Sequence, residues 1–593
     1  MTTLNPAVLM SPSPSRPNRR VMVVAWLMAV WMLATAAAFA YVGKYGRNVP
    51  SWDDWDIVPT MTGSQSVTWH WLWSQHNEHR VPVARLVMLA VYRIWPDFRA
   101  GMIFNVALMS VMTAALMICI ARQRGTFRWT DAFFPLVTLH LGQGLNFMWG
   151  WQIEFFTSTA FVLGWLLLVT TSRSLTRERL LAVLVLSLLL AGSGAHGLAL
   201  LPAITGWLVG DAIIARRRND LPAGPRHALL QLTVAFISVA LIAVYMMGWE
   251  KVPHHPGSPG LSSSAITAVK AVTMSFGSAV KPAWPISGIV VISLVIMTLG
   301  RLVKILRRDP AERVRAWGMF CVIGGLLSLA LALGLGRDGF EARYVTLLFP
   351  LLCAIYAVWT IYPPLRWPQA IPVTLLICSA AAFFPNARSG IYYARDVRAH
   401  LAAFEKDLHA GKSTPSLIAH HYRYLHPQHA LLADYLPMLQ SAGIQPYTNL
   451  QKDFSTVEQT VPIEDLTITG ATRVGTTLQH DGHASIDLTL PAMTRVIGVK
   501  MTYSFSNPIH RQPMILIKWR KDGQTFDGQK REYRYFPTGD RDNWERGSYT
   551  RTSNPLPAVE CYIDDDISHL QIVPDYVPGS FTIEKLVLMV APP

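Results

Sequence analysis

Apolar runs of about twenty residues recur through the first two-thirds of this 593-residue chain, beginning with Val21 to Val42. Such a run crosses the hydrocarbon of a bilayer when it is helical, because a helix satisfies its own backbone polar groups where there is no water to do so. The pattern predicts a polytopic α-helical membrane protein of about eleven spans, at 21–43, 100–121, 131–149, 153–172, 179–194, 197–214, 228–247, 284–306, 316–334, 343–362 and 369–386. Only 15% of residues are charged, against ~25% in ordinary soluble proteins. A disordered chain, a fibrous repeat and an ordinary cytosolic enzyme are excluded.

The net charge of +15 belongs to the membrane part: residues 387–593 hold 21 Lys and Arg against 22 Asp and Glu, and the rest of the chain 31 against 15. The arginines gather in short loops, at Arg16, Arg19 and Arg20, Arg122 to Arg128, Arg173 to Arg179, Arg216 to Arg218, and Arg301 to Arg315. The positive-inside rule places these loops in the cytoplasm, together with an N-terminal tail over 1–20, and leaves the C-terminal region outside the plasma (inner) membrane. No basic stripe interleaved with aromatics occurs, so nucleic acid is not an expected partner. Ala38-Phe39-Ala40 imitates a signal-cleavage site, but the apolar stretch before it exceeds the ~7–15 residues of a signal core, so the first span is expected to stay. The five cysteines show no paired or zinc-type spacing.

The membrane domain is therefore expected over 21–386, with a long outer loop at 44–99 whose end, Val81 to Trp95, reads as a helix lying in the interface. A helical connector follows over 387–457. From 458 to 593 the hydrophobic period becomes two, in eight runs from LTITG to FTIEKLVLMV separated by Gly, Pro, Asn and Asp, which predicts a jelly-roll-like β-sandwich.

Three groups of residues carry chemistry. The outer loop opens with Ser51-Trp52-Asp53-Asp54-Trp55-Asp56. Carboxylates this close repel one another, which suits a general base that must take a proton from a hydroxyl; Asp53 is the first candidate, then Asp54, then Asp56. The same loop continues Gln75-His76-Asn77-Glu78-His79-Arg80, a candidate substrate-binding set in which His76, Glu78 and His79 could also hold a divalent metal ion. Second, Arg337, Arg343 and Tyr344 sit in or beside a short outer loop, where positive charge is disfavoured. Forked guanidinium donors there suit a lipid phosphate, while Asp338 and Glu341 offer the simpler role of ion-pair partners. Third, Gln152, Glu154 and His196 lie at outer span ends, where polar side chains face a cavity or a neighbouring helix. No phosphate-binding loop, GxSxG or HExxH is present, which counts against ATP-driven transport and zinc proteolysis.

A first span followed by an outer loop opening with an acidic motif, here WDDWD, resembles the GT-C superfamily of membrane glycosyltransferases, which includes protein O-mannosyltransferases, lipid A aminoarabinose transferases and arabinosyltransferases. The interfacial segment VPVARLVMLAVYRIWPDF, the WGWQIEF segment and the glycine-rich GSGAHGLALLP fit the same layout over residues 20–385. HNEHR stands where better-known members carry a His-Pro-Pro type sequence. The C-terminal strands resemble carbohydrate-binding-like modules attached to some arabinosyltransferases. The resemblance implies inverting transfer of a sugar from a polyprenyl-phosphate donor to a hydroxyl of a cell-envelope glycan or glycolipid, with an Asp of the first loop as base and Arg337 and Arg343 at the departing phosphate. Competing readings are a transporter or flippase of a lipid-linked sugar, and a non-catalytic glycan-assembly protein.

Overall fold

The computed structural model describes residues 19–217, 224–251, 258, 260–336, 340–451, 455–506, 514–526, 532–535 and 558–592. Most of the tail expected over 1–20 lies outside them, as do Arg337 and Asp338. The chain is mostly helical with a C-terminal β-sheet region. Among the described residues nine helices are long and apolar enough to cross a bilayer: Arg19–Tyr45, Arg99–Arg124, Gly150–Thr171, Ala195–Ile214, Arg226–Met246, Ser278–Arg308, Arg313–Gly336, Tyr344–Ile361 and Ala370–His409.

Two of the eleven expected spans take another form. The stretch 131–149 breaks into the short pieces Trp129–Ala132, Phe133–Thr138, Leu141–Gln143 and Gly144–Phe147. Its apolar composition imitates a span, but glycines interrupt it and its polar side chains bond sideways. Gln143 donates to the Thr138 carbonyl at 2.7 Å and Asn146 to the Thr346 hydroxyl at 2.6 Å. The segment expected at 179–194 is the helix Arg177–Ala191, whose 15 residues fall short of the ~20 needed to span. The last expected span runs on without a break as the 40-residue helix Ala370–His409, so residue 386, the expected end of the membrane domain, lies inside it. Asn386 fastens this helix sideways, donating to the Phe276 carbonyl at 2.7 Å and accepting from the Ala279 amide at 3.0 Å. One turn on, a Cβ at Gly390 would stand 2.0 Å from the Leu141 carbonyl oxygen, so only glycine allows this crossing.

The helices sort polar groups to two ends of the bundle. At one end Arg124 pairs with the buried Asp131 at 2.6 Å, and Glu312 meets Arg173 at 3.4 Å, Arg315 at 3.1 Å and the Tyr362 hydroxyl at 2.9 Å. The helices Gly150–Thr171 and Tyr344–Ile361 start at the other end, where the long loop between Tyr45 and Arg99 folds. There the helix Pro82–Ile94 occupies the stretch expected to lie in the interface, with Leu86, Ile94 and Trp95 exposed.

Trp55, Ile57, Trp71, Val81 and Met88 of the loop share a core with Leu401, Phe404, Leu417, Leu425 and Leu436 of the following helical region. The loop is thus roofed by the helices Thr414–Leu425 and His429–Ser441.

Two strands belong to the loop, β1 (Gln75–His76) and β2 (His79–Arg80), paired as a hairpin. The C-terminal region contributes β3 (Val457–Thr460), β4 (Thr467–Val474), β5 (Thr477–Ser506), β6 (Ile515–Arg520), β7 (Glu532–Tyr535), β8 (Ala558–Val573) and β9 (Gly579–Val590). They form one antiparallel sheet in the order β3-β9-β5-β8-β6-β7, with β4 also on β5. Where eight short strands were expected, two pairs of runs merge into the long strands β5 and β8, and register shifts near Thr489–Thr494 and Val496–Gly498 bend them. Thr477–His480 and Ser504–Ser506 of β5 both pair with the start of β9, so the sheet folds back on itself around its apolar core.

Candidate active site

The WDDWD segment forms a 3-10 turn, Trp52–Ile57, entered through Trp52 at φ 52°. That left-handed value is strained for a non-glycine residue. Ser51 fixes the turn from outside: its hydroxyl donates to the Tyr424 carbonyl at 2.7 Å, and its own carbonyl accepts from the Trp149 indole at 2.9 Å.

The three aspartates are thereby separated into three environments. Asp54 is buried and anchors the turn to the start of the helix at Gly150, accepting the Trp151 amide at 2.6 Å and the Ser51 amide at 3.3 Å. Burial, with Asp53 and Asp56 nearby, pushes its carboxyl up to about 8 despite these two bonds. Asp56 is buried and in direct contact with Nδ1 of His76. Asp53 is the most open of the three, with a side chain 26% exposed and an oxygen 3.8 Å from Nε2 of His76. Burial raises its pKa, but the nearby charge of His76, then those of Arg343 and His426, bring it below the ordinary carboxylate value. His76 moves the other way. Burial depresses it, and the flanking Asp56 and Asp53 outweigh that and hold it well above the usual imidazole range. The result is an imidazolium clamped between two carboxylates, one buried and one open.

The hairpin places His76. Its two-residue turn is Asn77-Glu78, with Asn77 at φ 48°, a conformation asparagine tolerates. The Asn77 amide lies 3.1 Å from Nε2 of His76, and the Trp151 ring packs on the imidazole with centroids 4.7 Å apart. The other residues of HNEHR turn elsewhere. His79 accepts the Ala195 amide at 3.2 Å and packs against His196. Glu78 offers its backbone carbonyl to the Trp249 indole at 3.0 Å. Arg80 is a clamp on the neighbouring helix end, donating to the carbonyls of Tyr245, Trp73 and Met247 at 3.1, 2.8 and 2.9 Å. The carbonyls at a helix C-terminus lack intrahelical partners, and a guanidinium supplies them. Three of its five N–H donors are engaged there. Nor do His76, Glu78 and His79 converge as metal ligands: among the described residues no group of three or more His, Cys, Asp or Glu has a metal-binding arrangement.

Residues from distant spans complete the cluster. Glu154 lies within electrostatic reach of His76, Asp53 and Arg343. Oε2 of Glu154, Oε1 of Gln152, Nε of Arg343 and both ring nitrogens of His196 are buried without a hydrogen-bond partner among the described residues. Such atoms are rare in native interiors and concentrate where a ligand or water completes them. Arg343 has no ion-pair partner among the described residues; its carbonyl accepts from Asn146 at 2.9 Å, and its guanidinium sits 6.0 Å from the ring of the buried Tyr344.

His426 was not anticipated. It ends the helix Thr414–Leu425 and reaches the electrostatic neighbourhood of Asp53 and Asp56 from more than 350 positions further along the chain. Burial pushes it down to about 4 against the pull of both aspartates, and Nδ1 accepts the Gln428 amide at 3.1 Å. It is therefore neutral near pH 7 with its proton on Nε2. The one sequence signal is a histidine-rich stretch, His420, His421, His426 and His429.

A search against protein-family models finds no match to this chain, and a search of curated proteins likewise finds none.

Proposed function

We propose that this chain is an integral-membrane glycosyltransferase that moves a sugar, with inversion, from a polyprenyl-phosphate donor to a hydroxyl of a cell-envelope glycan or glycolipid. The reaction would take place on the outer side of the plasma membrane. The observation that carries this reading is a juxtaposition: the partly open carboxylate of Asp53 lies in one electrostatic cluster with Arg343, a guanidinium that has no carboxylate partner among the described residues. A base for a hydroxyl and a fork for a phosphate are the two groups such a displacement needs.

In this reading Asp53 takes the acceptor proton as the oxygen attacks the anomeric carbon. The bond from that carbon to the phosphate oxygen breaks, its electron pair stays on the phosphate, and Arg343 balances the growing charge. His76 keeps Asp53 ionised. Asp54 holds the turn, and Gln152, Glu154 and the neutral His426 offer hydrogen bonds to sugar hydroxyls.

The test uses purified full-length protein, a panel of radiolabelled polyprenyl-phosphate sugars and membrane glycolipid as acceptor. Asp53→Asn should lower transfer by ~10²–10⁴-fold, the usual weight of a general base. Arg343→Lys should lower kcat as well as raise the donor KM, because the fork serves both the bound phosphate and the charge that grows on it. Transfer within a few-fold of wild type in Asp53→Asn, or movement of the donor across the bilayer with its sugar–phosphate bond intact, overturns the proposal.

A further inference from the structure

The end of the bundle away from the first loop holds an unbalanced cation. Arg128 stands just before the short turn Trp129–Ala132 and is half-buried. Among the described residues its guanidinium has no hydrogen bond and no ion pair, and Nη1 is fully covered. Taking a charge out of water without a partner is costly. Burial and the charge of Arg124 both lower the pKa of Arg128, against the weaker pull of Tyr356 and Asp131.

The neighbouring carboxylate does not neutralise it. Asp131 is fully buried and accepts from the Arg124 guanidinium at 3.1 and 2.6 Å, from the Tyr356 hydroxyl at 2.8 Å and from the Arg128 backbone amide at 2.8 Å. Arg124 and Asp131 cancel, and the charge of Arg128 is left over. Arg122, exposed in the last turn of the helix Arg99–Arg124, adds a second. The aromatic residues fix the depth. Phe127 and Trp129 bracket Arg128 in the chain and are both exposed. The indole of Trp26, exposed as well, donates to the Trp129 carbonyl at 3.2 Å. Exposed tryptophans of a membrane protein collect at the level of the lipid headgroups. From Trp26 the helix Arg19–Tyr45 runs on with Met28, Met32 and Leu33 exposed, an apolar face for acyl chains. A free anion would use neither the aromatic residues nor that face. A phosphate esterified to a lipid uses both, and a guanidinium can bind two of its oxygens at once.

We propose that Arg128, with Phe127, Trp129 and Trp26 around it, is a binding site for the headgroup of an anionic phospholipid, whose phosphate takes the open side of the guanidinium. A zwitterionic lipid fits less well, because its ammonium group would meet the surplus positive charge of Arg122 and Arg128. The site lies at the opposite end of the bundle from the Asp53 cluster and does not depend on the transfer reaction proposed above.

The experiment is native mass spectrometry of the full-length protein in detergent, titrated with phosphatidylglycerol and, separately, with phosphatidylcholine. Phosphatidylglycerol should bind first and roughly tenfold more tightly, the value of a charge-assisted hydrogen bond. Inorganic phosphate in large excess should not displace it, which distinguishes a lipid headgroup from a free phosphate. Arg128→Gln should lower the affinity for phosphatidylglycerol by roughly tenfold and abolish the preference over phosphatidylcholine. Arg128→Lys should fall between, because a lysine keeps the charge without the fork. The thermal midpoint in lipid-free detergent reports whether each variant has folded, and the comparison of lipids on the wild-type protein needs no variant. The proposal is overturned if the two lipids bind alike, if inorganic phosphate displaces phosphatidylglycerol, or if folded Arg128→Gln keeps the wild-type affinity.

Discussion

Replacing His76 by Gln removes one positive charge from between two carboxylates and keeps a side chain of similar reach. Asp53 then loses a cation at 3.8 Å. At an effective dielectric near 20, a unit pair at that distance is worth about 4 kcal/mol, or roughly three pK units. That figure is a ceiling, because the 26% exposure of the Asp53 side chain lets water screen the pair, and a rise of about one to two units is the working expectation. Asp53 should move upward from its depressed position. Infrared difference spectra of the protonated carboxyl band, taken through a pH titration, measure this directly, and the double variant with Asp53→Asn identifies the band. If turnover is assayed in parallel, its acid limb should shift upward by the same amount.

Linkage fixes the sign for stability. Asp53, depressed in the fold, contributes stability above its unfolded pKa, and that stability is lost as pH falls through the folded value. His76, raised in the fold, contributes stability below its unfolded pKa that is lost as pH rises through the folded value. The variant should therefore flatten both flanks of the stability profile. An Asp53 band that titrates within about half a unit of wild type in His76→Gln would refute the claim that this imidazolium keeps the carboxylate ionised.

Two further outcomes are expected. Arg80→Lys should lower stability by about 1.5–3 kcal/mol, because a lysine cannot reproduce the fork onto three carbonyls; the thermal midpoint measures it, and an unchanged midpoint with weakened donor binding would reassign Arg80 to the substrate. Asp54, raised to about 8 in the fold, binds its proton more tightly folded than unfolded, so stability should fall as pH rises from its ordinary value toward 8. Asp54→Asn should remove that slope in urea titrations at several pH values.

The sequence exposes the parts of this fold that depend on composition over a length, and hides those that depend on partners. Spans such as 100–121 and 343–362 announce themselves because twenty apolar residues have few other fates. The stretch 131–149 misleads for the same reason: its composition is that of a span, and the sideways bonds of Gln143 and Asn146 that break it lie outside any linear window. The strands are legible as alternating runs, while the bulges that fuse them into β5 and β8 are not. At the site, the WDDWD cluster is conspicuous, yet only geometry separates Asp54, committed to two backbone amides, from Asp53, open beside His76. Arg80 carries a charge that the sequence cannot place, and its partners in the fold are helix-end carbonyls. His426 could not be tied to the cluster, because contact across hundreds of residues leaves no spacing to read.

The helix Ala370–His409 has a mechanical consequence. Forty residues make a rod about 60 Å long, twice the ~30 Å of a hydrocarbon core. About half of it must project from any bilayer it crosses. Pro385 interrupts its hydrogen-bond ladder, and Asn386, the next residue, is fastened to Phe276 and Ala279. The rod is therefore a lever with a fulcrum near its middle. Its C-terminal arm carries Leu401, Phe404 and Leu408 in the core that roofs the first loop. A load on the arm beyond Asn386 would be transmitted to that roof and to the span below as torque about Asn386.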